Sequence, residues 1–119
     1  MGEMKEAVQD VKRALGALGK HVPDEIGHFT QFMDAVLQPD ALDLKTKELV
    51  ALGMALTARC KYCIGMHTQS CLAAGATEDE IWEVAAVAVM MCGGPALTYT
   101  AELYKALQEF GGPQKEKMA

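Results

Sequence analysis

The segment Cys60-Lys61-Tyr62-Cys63-Ile64-Gly65-Met66-His67 places two thiols and an imidazole within two turns of a helix. A rotation of about 100° per residue sets Cys60 about 60° and His67 about 40° from Cys63 around the helix axis. All three side chains are therefore predicted on one helix face. Glu48 lies twelve residues before Cys60, on what reads as the preceding helix, and its carboxylate could fold back onto the imidazole.

The sequence on both sides of this segment predicts helices separated by Gly and Pro. Asp43 is predicted to cap the third helix, and Thr77 with Glu80 forms a capping box at the fifth. No run of residues alternates convincingly with period two, so the expected fold class is all-α. The six expected helices are Glu3 to Leu18, Pro23 to a stop at Pro39, Leu44 to about Ala58, the motif to a stop at Gly75, Glu78 to about Cys92, and Leu97 to Phe110 before a frayed charged tail.

Composition narrows the class of protein. The 119 residues predict one domain spanning 1–119, and a hydrophobic fraction of 50% with only 6% aromatic residues favours helices packed through Ala, Leu, Val and Met. From Leu49 to Leu56 the third helix is apolar on every side, which predicts full burial. A net charge of -5 without a dense basic cluster argues against a nucleic-acid partner.

The same sequence argues against secretion and against a membrane partner. The first residues have mixed charge and lack the apolar run of a secretory signal. The most apolar stretch, Val84 to Cys92, is too short to span a bilayer. We therefore expect a soluble cytoplasmic protein, in which four cysteines favour catalysis or metal binding over a structural disulfide framework.

Thiol chemistry and zinc binding are the two competing uses of the motif. A cysteine at a helix start beside an imidazole is shifted toward the reactive thiolate, and a CxxC pair there is within reach of a disulfide. Cys71 lies on the same face as the motif and is a further possible zinc ligand, but without it the fourth ligand would have to come from elsewhere or from water. Cys60 and Cys71 stand roughly 16 Å apart along a continuous helix, too far for one tetrahedral ion. Thiol redox chemistry is therefore favoured, with no metal and no cofactor expected.

Each remaining candidate has a structural alternative. Glu48 could be a solvated charge beside Lys45 and Lys47, and His67 could be a surface or hydrogen-bonded core histidine. Cys71 and Cys92, alone on apolar faces, are predicted to be packed thiols. His21 and His28 are predicted to be surface or capping residues.

The full spacing resembles the signature of the carboxymuconolactone decarboxylase/alkylhydroperoxidase D superfamily. It consists of Glu48, eleven intervening residues, Cys60-x-x-Cys63, three more residues and His67. The resemblance covers roughly Leu42 to Val89 and includes the flanking residues. It implies an all-helical bundle that assembles into homotrimers or homohexamers, with the site close to a subunit contact.

In the alkylhydroperoxidase members, the position of Cys63 attacks a small-molecule peroxide and forms a sulfenic acid. The position of Cys60 then closes a redox disulfide, and a thiol or dithiol reductant protein restores the pair. The positions of His67 and Glu48 supply the proton relay. This sequence departs from the pattern at Tyr62, where the characterised alkylhydroperoxidase D proteins have a histidine, and its length matches one unit of those two-unit proteins.

Three functions follow as hypotheses. The first is a thiol-dependent peroxidase or disulfide reductase with antioxidant activity. The second is a small-molecule decarboxylase of the carboxymuconolactone type, and the third is a non-catalytic redox-sensing or structural oligomer. The decarboxylase that names the superfamily does not depend on the CxxC pair, so intact thiols at Cys60 and Cys63 favour the redox enzyme.

Overall fold

A computed structural model describes the backbone of residues 2–118 and the side chains of residues 2–111. This part of the chain is all-α and contains no strand, which confirms the expected fold class. The six helices are α1 (Glu3–His21), α2 (Pro23–Leu37), α3 (Leu44–Ala58), α4 (Lys61–Ala73), α5 (Glu78–Cys92) and α6 (Gly94–Met118).

The predicted caps are present. The Asp43 carboxylate accepts a hydrogen bond from the Thr46 amide at 2.8 Å and begins α3. At α5 the Thr77 hydroxyl accepts from the Glu80 amide at 3.1 Å, while the Glu80 carboxylate accepts from the Thr77 amide at 2.8 Å. These bonds satisfy amides that a helix leaves without partners in its first turn, so local sequence sets where both helices begin.

Three predicted helix boundaries are wrong. The first helix continues past Leu18 to His21, and α6 begins at Gly94 and stays helical past Phe110. A glycine costs a helix only about 1 kcal/mol and does not forbid helical dihedrals, so Gly19 and Gly111 do not by themselves end these helices. Pro95 suits the first turn of α6 because its ring fixes a helical φ. The charged tail expected to fray lies outside the residues whose side chains are described.

Helices α3 to α6 form the core, and α1 packs across α4. The largest buried aliphatic side chains of the core come from these five helices: Met4, Leu52, Leu56, Ile64, Ile81, Leu103 and Leu107. Gly65, inside the CxxC motif region, is where α1 approaches most closely. A Cβ atom there would lie 3.3 Å from both Met4 and Val8. The motif helix is therefore held by packing on its first two turns.

The predicted full burial of Leu49 to Leu56 is wrong for the single chain. Leu52 and Leu56 are fully buried, but Val50 is 52% and Met54 is 66% exposed. The exposed side of α3 faces α5 across an apolar groove of about 370 Å³ that also includes Val87. The core covers only one side of α3, so the remaining apolar side chains stay open in the monomer.

Candidate active site

The turn between α3 and α4 sets the position of Cys60. Arg59 adopts the left-handed conformation with φ 57°, and its amide donates to the Leu56 carbonyl at 3.2 Å. The Cys60 amide donates to the Ala55 carbonyl at 3.2 Å. The left-handed region is uncommon for a residue with a side chain. This turn reverses the chain within two residues and leaves Cys60 as the cap of α4.

Cys60 and Cys63 meet through the first turn of α4. The Cys60 sulfur accepts a hydrogen bond from the Cys63 amide at 3.2 Å. Cys60 is therefore the cap of α4, and its sulfur satisfies one of the amides that a helix leaves without partners in its first turn. Burial and the neighbouring Cys60 sulfur raise the pKa of the Cys63 thiol to about 11. The two sulfurs are thus chemically unequal.

Glu48 and His67 form a hydrogen-bonded pair in which the carboxylate is buried and the imidazole is partly exposed. His67 Nδ1 lies 2.9 Å from Glu48 Oε1, and only 5% of Glu48 is exposed. An ionised carboxylate only accepts hydrogen bonds, so it holds the imidazole proton on Nδ1 and leaves Nε2 as the basic nitrogen. The solvated-charge alternative for Glu48 is therefore wrong. The carboxylate faces the core and orients the imidazole.

The four predicted site residues form two separate contacts in the structure. Glu48 and His67 are in direct contact, and Cys60 and Cys63 are joined through a sulfur and an amide. Within residues 2–111, the His67 ring forms a hydrogen bond with Glu48 and with neither sulfur. Both cysteines of the motif are half-buried.

The other two cysteines and two histidines differ in how deeply they are buried. Cys71 is fully buried, as predicted. Burial raises the pKa of its thiol to about 12, and the charge of Glu48 adds to the rise. The prediction that Cys92 is a packed thiol is wrong, because this side chain is exposed at the last residue of α5, beyond the core. His21 and His28 are exposed.

Sequence reasoning missed a charged cluster beside the motif. Glu3 accepts hydrogen bonds from Lys61 at 2.6 Å and from Lys105 at 2.9 Å. These two lysines lower the pKa of the Glu3 carboxyl to about 2. Glu109 in turn accepts from the amides of Met4 and Lys5 at the start of α1. Partners 58 to 105 residues apart leave no periodic signal in the sequence.

Two features of the described residues bear on ligands and location. No group of three or more His, Cys, Asp and Glu side chains within residues 2–111 is placed to hold a metal ion. Over the same part of the chain, none of the helices has the length and apolar character needed to cross a membrane.

The family model of the carboxymuconolactone decarboxylase family matches residues 23–106. A Cupriavidus necator protein of uncharacterised function is 33% identical over 108 residues, which cover 91% of this chain and 93% of that protein. The chain belongs to the carboxymuconolactone decarboxylase family.

Solved structures of family members have the same fold. A family protein from Legionella pneumophila, crystallised in its apo form, is 36% identical with a TM-score of 0.87, over 91% of this chain and 96% of that one. A Thermotoga maritima family protein, for which involvement in the antioxidative response has been suggested, is 27% identical with a TM-score of 0.81. This match covers 94% of the present chain and 96% of that one.

Proposed function

We propose that this carboxymuconolactone decarboxylase family member is a thiol-dependent oxidoreductase that reduces small hydroperoxides with Cys60 and Cys63. The observation that carries the proposal is the hydrogen bond between Glu48 on α3 and His67 on α4, because His67 lies one turn after Cys63 in the helix that Cys60 caps. A base oriented by a carboxylate beside a thiol pair is the arrangement that nucleophilic thiol chemistry requires.

The proposed reaction has two steps. His67 takes the Cys63 proton, directly or through water, and the Cys63 thiolate attacks the distal oxygen of a hydroperoxide ROOH. The O–O bond breaks, the leaving alkoxide RO⁻ takes that proton back from His67, and the products are a Cys63 sulfenic acid and the alcohol ROH. The Cys60 thiol then attacks the sulfenic sulfur, which forms the Cys60–Cys63 disulfide and releases water. One hydroperoxide is reduced by two electrons, and an external dithiol returns the disulfide to two thiols.

The assignment of roles depends on the inequality of the two sulfurs. A pKa of about 11 keeps Cys63 protonated at neutral pH, so its attack needs a base. His67 lies one turn after Cys63, and Glu48 leaves its Nε2 free to accept a proton through a side-chain rotation or a water molecule. Cys60, at the start of α4, is the sulfur at which an external reductant would open the disulfide.

The suggested antioxidative involvement of the Thermotoga maritima protein agrees with this chemistry. A thiol pair that must be reduced again after each turnover suits the cytoplasm, where thiols are kept reduced, and we assign the reaction to that compartment.

The proposal is tested by treating the reduced protein with one equivalent of tert-butyl hydroperoxide. We expect two thiols to be lost per peroxide and peptide mapping to find the Cys60–Cys63 bridge. The Cys71→Ala variant is the matched control and should consume the same amount. Four intact thiols after peroxide, or a dominant bridge to Cys71 or Cys92, would contradict the redox assignment.

We propose further that the protein is a homotrimer or homohexamer. Helix α2 has no buried residue in the single chain and exposes Phe29, Phe32 and Val36. The open groove between α3 and α5 adds Val50 and Met54. Apolar surface of this extent is uncommon on a soluble monomer. Light scattering at micromolar concentration should report a trimer or hexamer, and a stable monomer would refute the assembly.

A further inference from the structure

Helix α2 carries an apolar stripe that its own chain leaves uncovered. The α2 stripe consists of Phe29, Phe32, Met33 and Val36, whose i, i+3, i+4 and i+7 spacing keeps the four side chains on one helix face. Phe29 and Phe32 are 52% and 65% exposed, which leaves roughly 200 to 300 Å² of aromatic surface in water. This spacing is the one by which an amphipathic helix lies in an apolar groove of a partner.

The groove between α3 and α5 has a form that matches such a helix. Its α3 wall runs from Thr46 to Thr57 and its α5 wall from Val84 to Met91, and no charged side chain lines it. The two walls meet at Gly53, where a Cβ atom would lie 3.2 Å from Val84 Cγ1. The α3 wall is roughly 16 Å long, and the 15 residues of α2 extend roughly 22 Å, so α2 is long enough to fill the groove.

Charges at the ends of the two surfaces set the direction of docking. Glu25 lies one turn before the α2 stripe and in line with it, and Arg59 lies two residues beyond the α3 wall; both are exposed. At the opposite end of the groove, Glu80 forms an ion pair with Lys45 at 3.0 Å. A helix that lies antiparallel to α3 brings the Glu25 carboxylate to the Arg59 guanidinium. A parallel helix would place it beside the carboxylate of Glu80.

We propose that the α2 stripe of one copy of this chain lies in the α3–α5 groove of a second copy, antiparallel to its α3. The inference rests on the homo-oligomer proposed above and names the surfaces that hold it together. Because stripe and groove are different surfaces, the contact is heterologous, and its repetition closes a ring, which for a homotrimer has three copies.

The attachment of α2 to its own chain supports a ring. The Lys47 ammonium donates to the Val36 and Gln38 carbonyls at 2.7 and 2.6 Å, which ties the last turn of α2 to the start of α3. Each copy therefore presents its stripe and its groove at the same fixed angle. A constant angle between two contact surfaces is what a closed ring of identical copies needs.

Each surface is tested by one charged substitution at an exposed position. Phe32→Glu places a carboxylate in the stripe and Met54→Glu places one in the groove, and burying either charge without a partner is costly. Each variant should therefore have the mass of one chain in light scattering. Leu97→Glu, at an exposed apolar position of α6 outside both surfaces, is the matched control and should stay assembled. Circular dichroism checks that the three variants remain helical.

A mixture of the two variants tests the contact itself. The Phe32→Glu protein keeps an intact groove and the Met54→Glu protein keeps an intact stripe, so together they can form one stripe–groove contact but no ring. We expect a one-to-one complex of two chains in sedimentation velocity. This complex should need a higher protein concentration than the wild-type assembly, because ring closure no longer strengthens the contact.

An exchange of charges tests the direction of α2. Glu25→Arg and Arg59→Glu should each raise the concentration of half-dissociation by about twofold to fivefold, since an exposed ion pair contributes little and its loss is felt at the rim. The chain that carries both substitutions should return to the wild-type value, because the pair is restored with its signs reversed. A double variant that is no better assembled than the single ones would overturn the antiparallel direction.

A folded Phe32→Glu or Met54→Glu protein that stays assembled would overturn the contact, and so would a mixture of the two that stays monomeric. Failure of the proposed assembly gives a different result, because the wild type would then itself be a monomer. An assembled wild type with assembled variants leaves the homo-oligomer standing and refutes only this contact. The redox assignment is tested separately, by the Cys60–Cys63 bridge after one equivalent of hydroperoxide.

Discussion

Cys63 in the first turn of α4 is half-buried and touches the cap sulfur of Cys60, whereas Cys71, two turns further along the same helix, is fully buried. Burial raises the pKa of both thiols, and His67 lies one turn from each, but only Cys63 has a second thiol beside it. We therefore attribute the different roles that we propose for these two cysteines to their surroundings, and not to the residue type or the helix.

Peroxide consumption should differ most between variants that lack the Cys63 sulfur and variants that lack the Cys71 sulfur. Cys63→Ser should abolish peroxide consumption because the attacking atom is lost, while Cys71→Ala should keep most of it. A peroxide-consumption assay with a dithiol reductant measures both. If Cys71→Ala is as inactive as Cys63→Ser while it remains folded, the distinction between the two ends is wrong.

Disabling the base should have the next largest effect. His67→Ala and Glu48→Gln are each expected to slow Cys63 oxidation by about 10² to 10⁴-fold, since general base catalysis is lost. The double variant should be slower by less than the product of the two factors, because the pair acts as a unit. His28→Ala and Glu83→Gln, both at exposed positions, are the controls in stopped-flow measurements. Fully multiplicative effects would argue against a relay.

The pH dependence of alkylation tests why the pKa values of the Cys63 and Cys71 thiols are high. The thiolate fraction of Cys63 should rise about tenfold per pH unit up to a midpoint near pH 11, whereas Cys71 should stay unmodified until pH about 12. Cys60→Ser should lower the Cys63 midpoint, because the sulfur that helps to raise it is gone. Iodoacetamide labelling with mass mapping measures both sites. A Cys63 midpoint below pH 8 in the wild type would contradict the assignment.

The smallest expected effect is on stability. Replacing cysteine by serine should change the free energy of unfolding less at Cys60 than at Cys71. Cys60→Ser places a preferred cap residue at the start of α4, so the free energy of unfolding should change by less than about 0.5 kcal/mol. Cys71→Ser buries a hydroxyl in an apolar setting and should cost about 1 to 3 kcal/mol. Urea unfolding of the two reduced variants and of the wild type measures these free energies. Equal losses at both positions would show that burial does not distinguish them.

Local sequence predicted much of this architecture. The Asp43 cap and the Thr77–Glu80 box marked the starts of α3 and α5, because cap chemistry acts over three residues. The spacing of His67 from Cys63 placed both on one helix, and Glu48 reached the imidazole as expected. Periodicity and capping are local rules, so these features are readable from one chain.

Other features depend on distant parts of the chain. No local pattern indicates that Glu3 bonds to Lys61 and Lys105. The all-round apolar α3 predicted burial, but the monomer covers only one side, since burial depends on which helices pack against it. Gly111 suggested a helix end that the backbone does not make.

The order of attack tests the central claim most directly. Cys60→Ser and Cys63→Ser proteins are treated with one equivalent of tert-butyl hydroperoxide in the presence of a sulfenic acid trap, and the modified cysteine is located by mass spectrometry. We expect the trapped sulfenic acid at Cys63 in the Cys60→Ser protein and none at Cys60 in the Cys63→Ser protein. Trapping at Cys60 in the Cys63→Ser protein, with none at Cys63 in the Cys60→Ser protein, would reverse the proposed roles.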